Sequence, residues 1–504
     1  MLKSYEDCMN EISSEELYEG LLSYGMFMDK LPPVLSSVGF YNYCQNNEIT
    51  EKGKRQCIYY ESMRNNNTPR SMGIPNPMAY QRLCECLSSN WDSLKLHFKE
   101  QTNEHEYKIS RIHIRKQEKG KTLFAMNYSN WRVDGAPEPS LLIGMKFLVK
   151  ADISTCFPSI YTHSIPWALV GKETAKEHSG IKHGNLWYNE IDFYTRNCKN
   201  GETHGLLIGP HASNLLSEII LTVVDKKLYD KGFRFIRNID DYECYVESHE
   251  QGLVFLSELA GELRRFDLSL NHKKTEIKEL PVAAEEQWVR KLNLINIFYQ
   301  NGKLDFIGTR AYLDFAVELM QENKRNSAVL KYAIKVLSSQ TLTANAKDYY
   351  IKTILHLSLL YPYLIPMLDR YVFDVFCIEE ELVASFLRRA FNLGITCRNY
   401  EAVCFIIYFA LKFNLEIPDL CSALAIESDS CMFKLLAFLF FSKTNRKNDV
   451  KEMIKHAKSL KNDDDFDRNW LFAYEALPMS YLKGDWEKMK RAGVSFVNFQ
   501  PSYR

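Results

Sequence analysis

No stretch of this sequence is long and apolar enough to read as a membrane span. The most apolar, Ala402-Val-Cys-Phe-Ile-Ile-Tyr-Phe-Ala-Leu411, stops well short of the about 18 residues a bilayer requires, and reads as a buried helix. A basic secretory leader is not expected either, because the N-terminus carries acidic residues instead. The expectation is a cytoplasmic protein with reduced thiols and no membrane attachment. Paired cysteines are scarce. Of 13 cysteines only Cys84 and Cys86 are close, a spacing too tight for zinc, and no second pair follows at a suitable distance. Net charge is absent as well, since Lys+Arg and Asp+Glu both number 63. That excludes a global basic field of the kind that grips a duplex. A nucleic-acid enzyme of this composition must carry its basic surface locally, and a long duplex footprint is not expected.

What is present is a chain of 504 residues, 46% hydrophobic and 25% charged, the balance of a soluble globular protein of two or three domains. Residues 1–100 read as mainly helical, with Ser13 as an N-cap, an extended break at Leu31-Pro-Pro-Val-Leu35 and a helix from about 78 to 98. Within 107–121, Lys108, Arg111, Arg115, Lys116, Lys119 and Lys121 oppose only Glu118. In Arg111-Ile-His-Ile-Arg115 a strand would present Arg111, His113 and Arg115 on one face. That face is either a charged edge that prevents pairing or a grip for phosphate groups.

The chemistry concentrates between 146 and 280. In Phe233-Arg-Phe-Ile-Arg-Asn-Ile-Asp-Asp-Tyr-Glu-Cys-Tyr-Val246 two alternating runs flank Asp240 and Asp241, which sets two carboxylates at the tip of a hairpin. An Asp-Asp step is also an ordinary turn. A third carboxylate, Asp152, ends the strand-like run Lys146-Phe-Leu-Val-Lys-Ala-Asp-Ile153. Three carboxylates at strand ends can hold two divalent cations, as in-line phosphoryl transfer needs. An apolar helix is expected from 215 to 224 and another from 250 to 266, with a charged loop to about 185. From about 290 onward, helix-length apolar patterns recur over 327–337, 349–360, 382–393, 400–413, 431–441, 450–460 and 470–482. They have no clean repeat motif and suggest an irregular α-solenoid or bundle, with Asp463-Asp-Asp465 as a solvated loop.

The ordered set formed by Asp152-Ile-Ser-Thr-Cys-Phe157, Ile208-Gly209-Pro-His-Ala-Ser213, Asn238-Ile-Asp-Asp-Tyr242 and Asn271-His-Lys-Lys-Thr275 resembles the polymerase core of reverse transcriptases over roughly 105–280. Tyr161-Thr-His-Ser-Ile-Pro-Trp167, Thr203-His-Gly205, Leu31-Pro-Pro33 and the helical C-terminal half are similar to the abortive-infection, AbiK-like group of bacterial phage-defence polymerases. The fold implied is α+β: a reverse-transcriptase-like core over 1–288 (N-terminal helical region and fingers 1–145, palm 146–288), then an all-α, HEAT-like repeat domain over 289–504. The activity implied is a nucleotidyltransferase that adds dNTPs without a template, primed from a protein side chain, in a homo-oligomer whose single-stranded DNA product stays attached. On this resemblance Asp152, Asp240, Asp241 and the carbonyl of Ile153 bind Mg²⁺ or Mn²⁺. Phe157 is a steric gate against the 2′-OH, Lys274 attends the pyrophosphate, Gly209 belongs to the grip loop, and Arg111 and Arg115 hold the triphosphate. Two departures matter. Asn238 stands where an aromatic is usual, and Ile208 where templated enzymes commonly have Gln, which favours untemplated synthesis. Tyr41 and Tyr43, on a mobile-looking segment, are the candidate primers. The alternatives are a templated RNA-directed DNA polymerase and a catalytically silent, phage-sensing interaction protein.

Overall fold

In the computed structural model the described residues are 3–66, 68–117, 124–125, 134–179, 186–283, 286–294, 299–300, 302–460 and 462–498. Glu118, Lys119 and Lys121 of the basic stretch, and 180–185 of the expected loop, lie outside them. The protein is mixed α/β, with small sheets among many helices.

The first residues are helical as expected, and Ser4 and Ser13 each close a capping box, with Asp7 and Glu16. A hairpin then interrupts. Strand β1 (Ile58–Met63) pairs antiparallel with β2 (Pro69–Ile74), with Ile58, Tyr60 and Ser62 turned inward and Tyr59 and Glu61 outward. The Leu31-Pro-Pro-Val-Leu35 segment is a turn and not an extended run, because Val34 N–H closes back on the Pro32 carbonyl at 2.7 Å. The helix expected over 78–98 is two, α1 (Pro77–Ser89) and α2 (Trp91–Thr102). They break at Asn90, whose ψ of 18° leaves the helical region.

The central sheet is built from β3 (Phe147–Asp152), β4 (Arg234–Asn238), β5 (Asp241–Val246) and β6 (Glu276–Glu279), in the order β4-β5-β3-β6 and antiparallel throughout. Between β3 and β4 lie α3 (Cys156–Ser159), a short helix Lys172–Glu177 in part of the expected loop, α4 (Trp187–Asn197) and the long α5 (His211–Asp230). After β5, α6 (His249–Arg264) crosses the sheet closely at Gly252. A Cβ there would come within 3.1 Å of both Val149 and Ile277.

The C-terminal half is helical at the expected places, except that the helix expected over 470–482 ends at Ala476 and a separate 3₁₀ turn, Met479–Tyr481, follows. It contains α7 (Phe306–Glu322), α8 (Ala328–Ser338), α9 (Ala344–Leu360), α10 (Glu380–Thr396), α11 (Tyr400–Phe413), α12 (Cys431–Lys443), α13 (Lys447–Ser459), α14 (Asp463–Arg468) and α15 (Trp470–Ala476). Asp463, Asp464 and Asp465 are the first turn of α14, capped by Asn462, not a loop; three acids suit the positive end of a helix. Successive helices pack on one another, α10 on α11, α11 on α12 and α12 on α15. Of the C-terminal helices, α11, α12 and α14 also pack on β1. Asp467 accepts from Gln56 N–H and Asn76, Asp485 from the Thr50 and Glu51 amides, and Phe496 lies against Phe40 and Trp470. The first 76 residues and the last helices therefore share a core. No described helix is long and apolar enough to cross a membrane.

Candidate active site

Strand pairing brings the three sequence-separated carboxylates together. Asp152 is the last residue of β3 and stands directly opposite Asp241, the first of β5. Asp240 precedes it in a two-residue turn closed by the Asn238–Asp241 pair. Ile239 in that turn has φ +60°, a conformation that costs a β-branched residue about 1–3 kcal/mol. Two contacts hold it. Arg237 donates Nη1 to the Ile239 carbonyl at 2.8 Å, and Ile153 N–H donates to the Asp240 carbonyl at 3.1 Å. The second contact also sets the backbone of Ile153 beside the turn.

Asp152 is buried, accepting from Asn271 Nδ2 at 2.9 Å and from the Lys274 ammonium at 2.5 Å. Desolvation, then the charge of Asp152, raises the Asp240 carboxyl above its ordinary range, against the pull of Lys274 and Arg70. Desolvation, the charge of Asp240 and a hydrogen bond with Asp152 push Asp241 up to about 6. The bond to Asp152 raises Lys274. Like charges this close raise one another's proton affinity, and such a site gains by taking up a cation. An all-carboxylate oxygen set suits Mg²⁺ or Mn²⁺. Among the described residues no three His, Cys, Asp or Glu side chains have closed on metal-ligating geometry, and the cation on Asp152 is the Lys274 ammonium.

Beneath the turn lies a network that the sequence reading missed. Arg237, fully buried, donates to both oxygens of Asp225 and to Glu218 at 2.7 Å. Tyr242 donates to Asp225, and Tyr5 and Ser110 to Glu218. Burial pushes Asp225 up to about 6 despite its guanidinium partner; burial lowers Arg237, but the two carboxylates outweigh it and hold the group well above its ordinary value. The signal was available in α5: Glu218 and Asp225, seven residues apart on one face of an otherwise apolar helix, call for a buried cation.

Phe157 is buried on α3, its carbonyl accepting from Leu206 N–H at 2.8 Å. Burial and then the charge of Asp240 raise the neighbouring Cys156 thiol, so α3 lies near the turn. Gly209 has φ +130°, and a Cβ there would come within 2.7 Å of Met28. The freedom of glycine lets the 205–210 loop lie on β2, where Gly73 N–H donates to the Ile208 carbonyl. His163 donates Nδ1–H to the Asp192 carboxylate at 2.8 Å, and Tyr161 packs between His163 and His204. Tyr41 and Tyr43 lie on a helix, Val38–Asn46, and the Tyr43 ring is buried.

The expected basic face at 111–115 does not exist. Arg111, His113 and Arg115 are all buried, and only Arg115–Lys116 is strand. The carboxylate of Asp134 binds Arg115 at 2.6 Å and Lys108 at 2.7 Å, while Arg111 donates to the Asp134 and Gly135 carbonyls. Burial and then the charge of Lys108 push His113 down to about 3, which leaves it neutral. One buried acid and two carbonyls have collected these cations, and they are not available as an open grip. Besides Lys274, Asp240 feels the charge of Arg70 of β2. No protein-family model matches the chain, and no curated protein matches it.

Proposed function

We propose that the chain is a metal-dependent nucleotidyltransferase that extends DNA from dNTPs, with a reverse-transcriptase-like palm formed by the central sheet. The observation that carries this reading is the register of β3 and β5, which opposes Asp152 and Asp241 with Asp240 alongside. A sheet selected for stability alone avoids like charges directly opposite. Asp152, Asp240 and Asp241, with the Ile153 carbonyl, would hold Mg²⁺ or Mn²⁺. Two such ions, when bound, lower the pKa of an attacking hydroxyl and neutralise a leaving pyrophosphate. Lys274 holds Asp152 through its ammonium and would screen or protonate the leaving group. Phe157, five residues after Asp152 on α3, would exclude the ribose 2′-OH.

Synthesis without a template, priming from a protein hydroxyl, assembly as a homo-oligomer and a role in bacterial phage defence are the finer parts of the proposal. They rest on the motif resemblance and on Ile208 and Asn238. The test is to incubate the purified chain with Mg²⁺ and dNTPs alone and look for a nuclease-sensitive, protein-linked ladder. Product that needs added template would replace this reading with templated copying. No product, or equal product from Asp240→Ala, would leave an interaction protein.

A further inference from the structure

A chain with no net charge needs a local basic surface to hold a polyanion, and the residues at 108–115 do not supply one. Uncompensated positive charge gathers at the β1–β2 hairpin instead. Lys30, Arg64, Arg70 and Lys331 make no ion pair among the described residues, and the Arg70 Nε is buried without a partner. A carboxylate among them, Glu401 of α11, is 4% exposed, and its oxygens are engaged by the Ser62 hydroxyl and the Met63 N–H, each at 2.7 Å. The hairpin tip is docked on the start of α8, where the Ser327 hydroxyl donates to the Asn65 carbonyl. One turn further on, the Lys331 ammonium lies 5.0 Å over the Tyr363 ring, whose buried hydroxyl has no partner among the described residues. Lys335 follows on the same face of α8.

These groups feel one another in sequence. Burial and then Arg64 lower Arg70, which Asp240 opposes. Burial lowers Lys30, with Arg70 and Arg64 adding to it and Glu401 opposing. Burial, then the charge of Lys30, pushes Lys331 down to about 8, with Lys335 adding to it. A row of crowded, unpaired cations is held together at a cost, which a bound polyanion would offset.

We propose that Arg70, Arg64, Lys30, Lys331 and Lys335 form a phosphodiester track that takes a single-stranded nucleic acid from the carboxylate turn, along the hairpin, onto α8. The proposal rests on the nucleotidyltransferase reading for the origin of the strand. A mononucleotide triphosphate at the turn could engage Arg70, but the cations spread over residue 30, the hairpin and α8 call for a longer chain of phosphates. Tyr363 adds an aromatic surface beside them, as single-strand grooves commonly have.

The test uses the full chain carrying Asp240→Asn, so that synthesis does not interfere, and a fluorescent oligodeoxythymidylate titrated across a range of KCl concentrations without divalent metal. Each single-strand phosphate contact contributes about 0.7 to the slope of log K against log salt. The double variant Lys331→Gln/Lys335→Gln, with an unchanged thermal midpoint, should bind at least about 10-fold more weakly and lower the slope by about 1.4. The same exchange at Lys451 and Lys455 should change neither. Equal affinity and slope in the two proteins would overturn the track, as would displacement of the oligonucleotide by equimolar dNTP. Oligonucleotide binding that responds to Lys331 and Lys335, when the chain with Asp240 intact incorporates no dNTP, would keep the track and reject the enzymatic reading. Incorporation with no response would do the reverse.

Discussion

Asp152 and Asp241 face each other in register across two neighbouring strands, and the Lys274 ammonium sits on Asp152. Directly opposed like charges destabilise a strand pair by a few tenths to about 1 kcal/mol. Function and stability therefore pull apart at this position. Asp241→Asn should raise the unfolding free energy by about 0.5–1 kcal/mol, as measured in urea, and reduce dNTP incorporation by about 10³-fold or more. A variant that is both less stable and fully active would show that the pair is an ordinary turn.

The same carboxylates fix a pH dependence. Desolvation and mutual repulsion raise Asp240 above its ordinary value, and Asp241 to about 6. The folded chain thus binds these protons more tightly than the unfolded chain does. Their contribution to stability is present at low pH and is lost as pH rises from about 4 through about 6. A divalent cation needs both groups ionised, so its stabilising effect grows over the same interval. Adding MgCl₂ should move the thermal midpoint little at pH 5 and upward at pH 7.5. In Asp241→Asn the shift should be small at both.

Arg237 bridges Glu218 and Asp225 and also holds the Ile239 carbonyl of the strained turn. Removing one partner of a buried ionic network leaves the others uncompensated, at about 3–5 kcal/mol. Arg237→Met should lose that much in urea unfolding. In whatever fraction remains folded, incorporation should fall as well, because the Asp240 turn has lost its donor. Arg237→Lys should recover part of the stability but not the fork that spans two carboxylates and a carbonyl.

Much of this was legible because period and punctuation survive in a single chain. Alternation around Asp240-Asp241 gave the hairpin, the apolar run before Asp152 gave its neighbour, and the 3.6-residue pattern gave helices such as α11 within a residue or so of their limits. Which charges lie inside was not legible. Arg111 and Arg115 alternate with isoleucine as on a solvent edge, yet Asp134, from a distant segment, draws Arg115 inward, and backbone carbonyls hold Arg111. The β1 strand was readable in principle, since Ile58, Tyr60 and Ser62 alternate. The helical signals on either side outweighed six residues. The row from Arg70 to Lys335 joins three distant parts of the chain and has no linear trace.

Glu401 tests how the two halves communicate. It is a buried carboxylate set among those cations, and its oxygens latch α11 to the end of β1. Burial and Lys30 bring Lys331 down to about 8, while Glu401 holds it up. Raising the pH from 7 to 9 should therefore weaken oligonucleotide binding as Lys331 loses its proton, with Lys30, Lys335 and Glu401 the charged groups around it. Glu401→Gln keeps an acceptor for the latch but removes the charge that supports Lys331. Its pH midpoint for binding should move below that of the unmodified chain, and unfolding should cost only about 1–3 kcal/mol less, the range for a buried polar partner made imperfect. Isothermal titration with the same oligonucleotide at half-unit pH steps would read the midpoint. An unmoved midpoint would mean that Glu401 secures the fold without tuning the track.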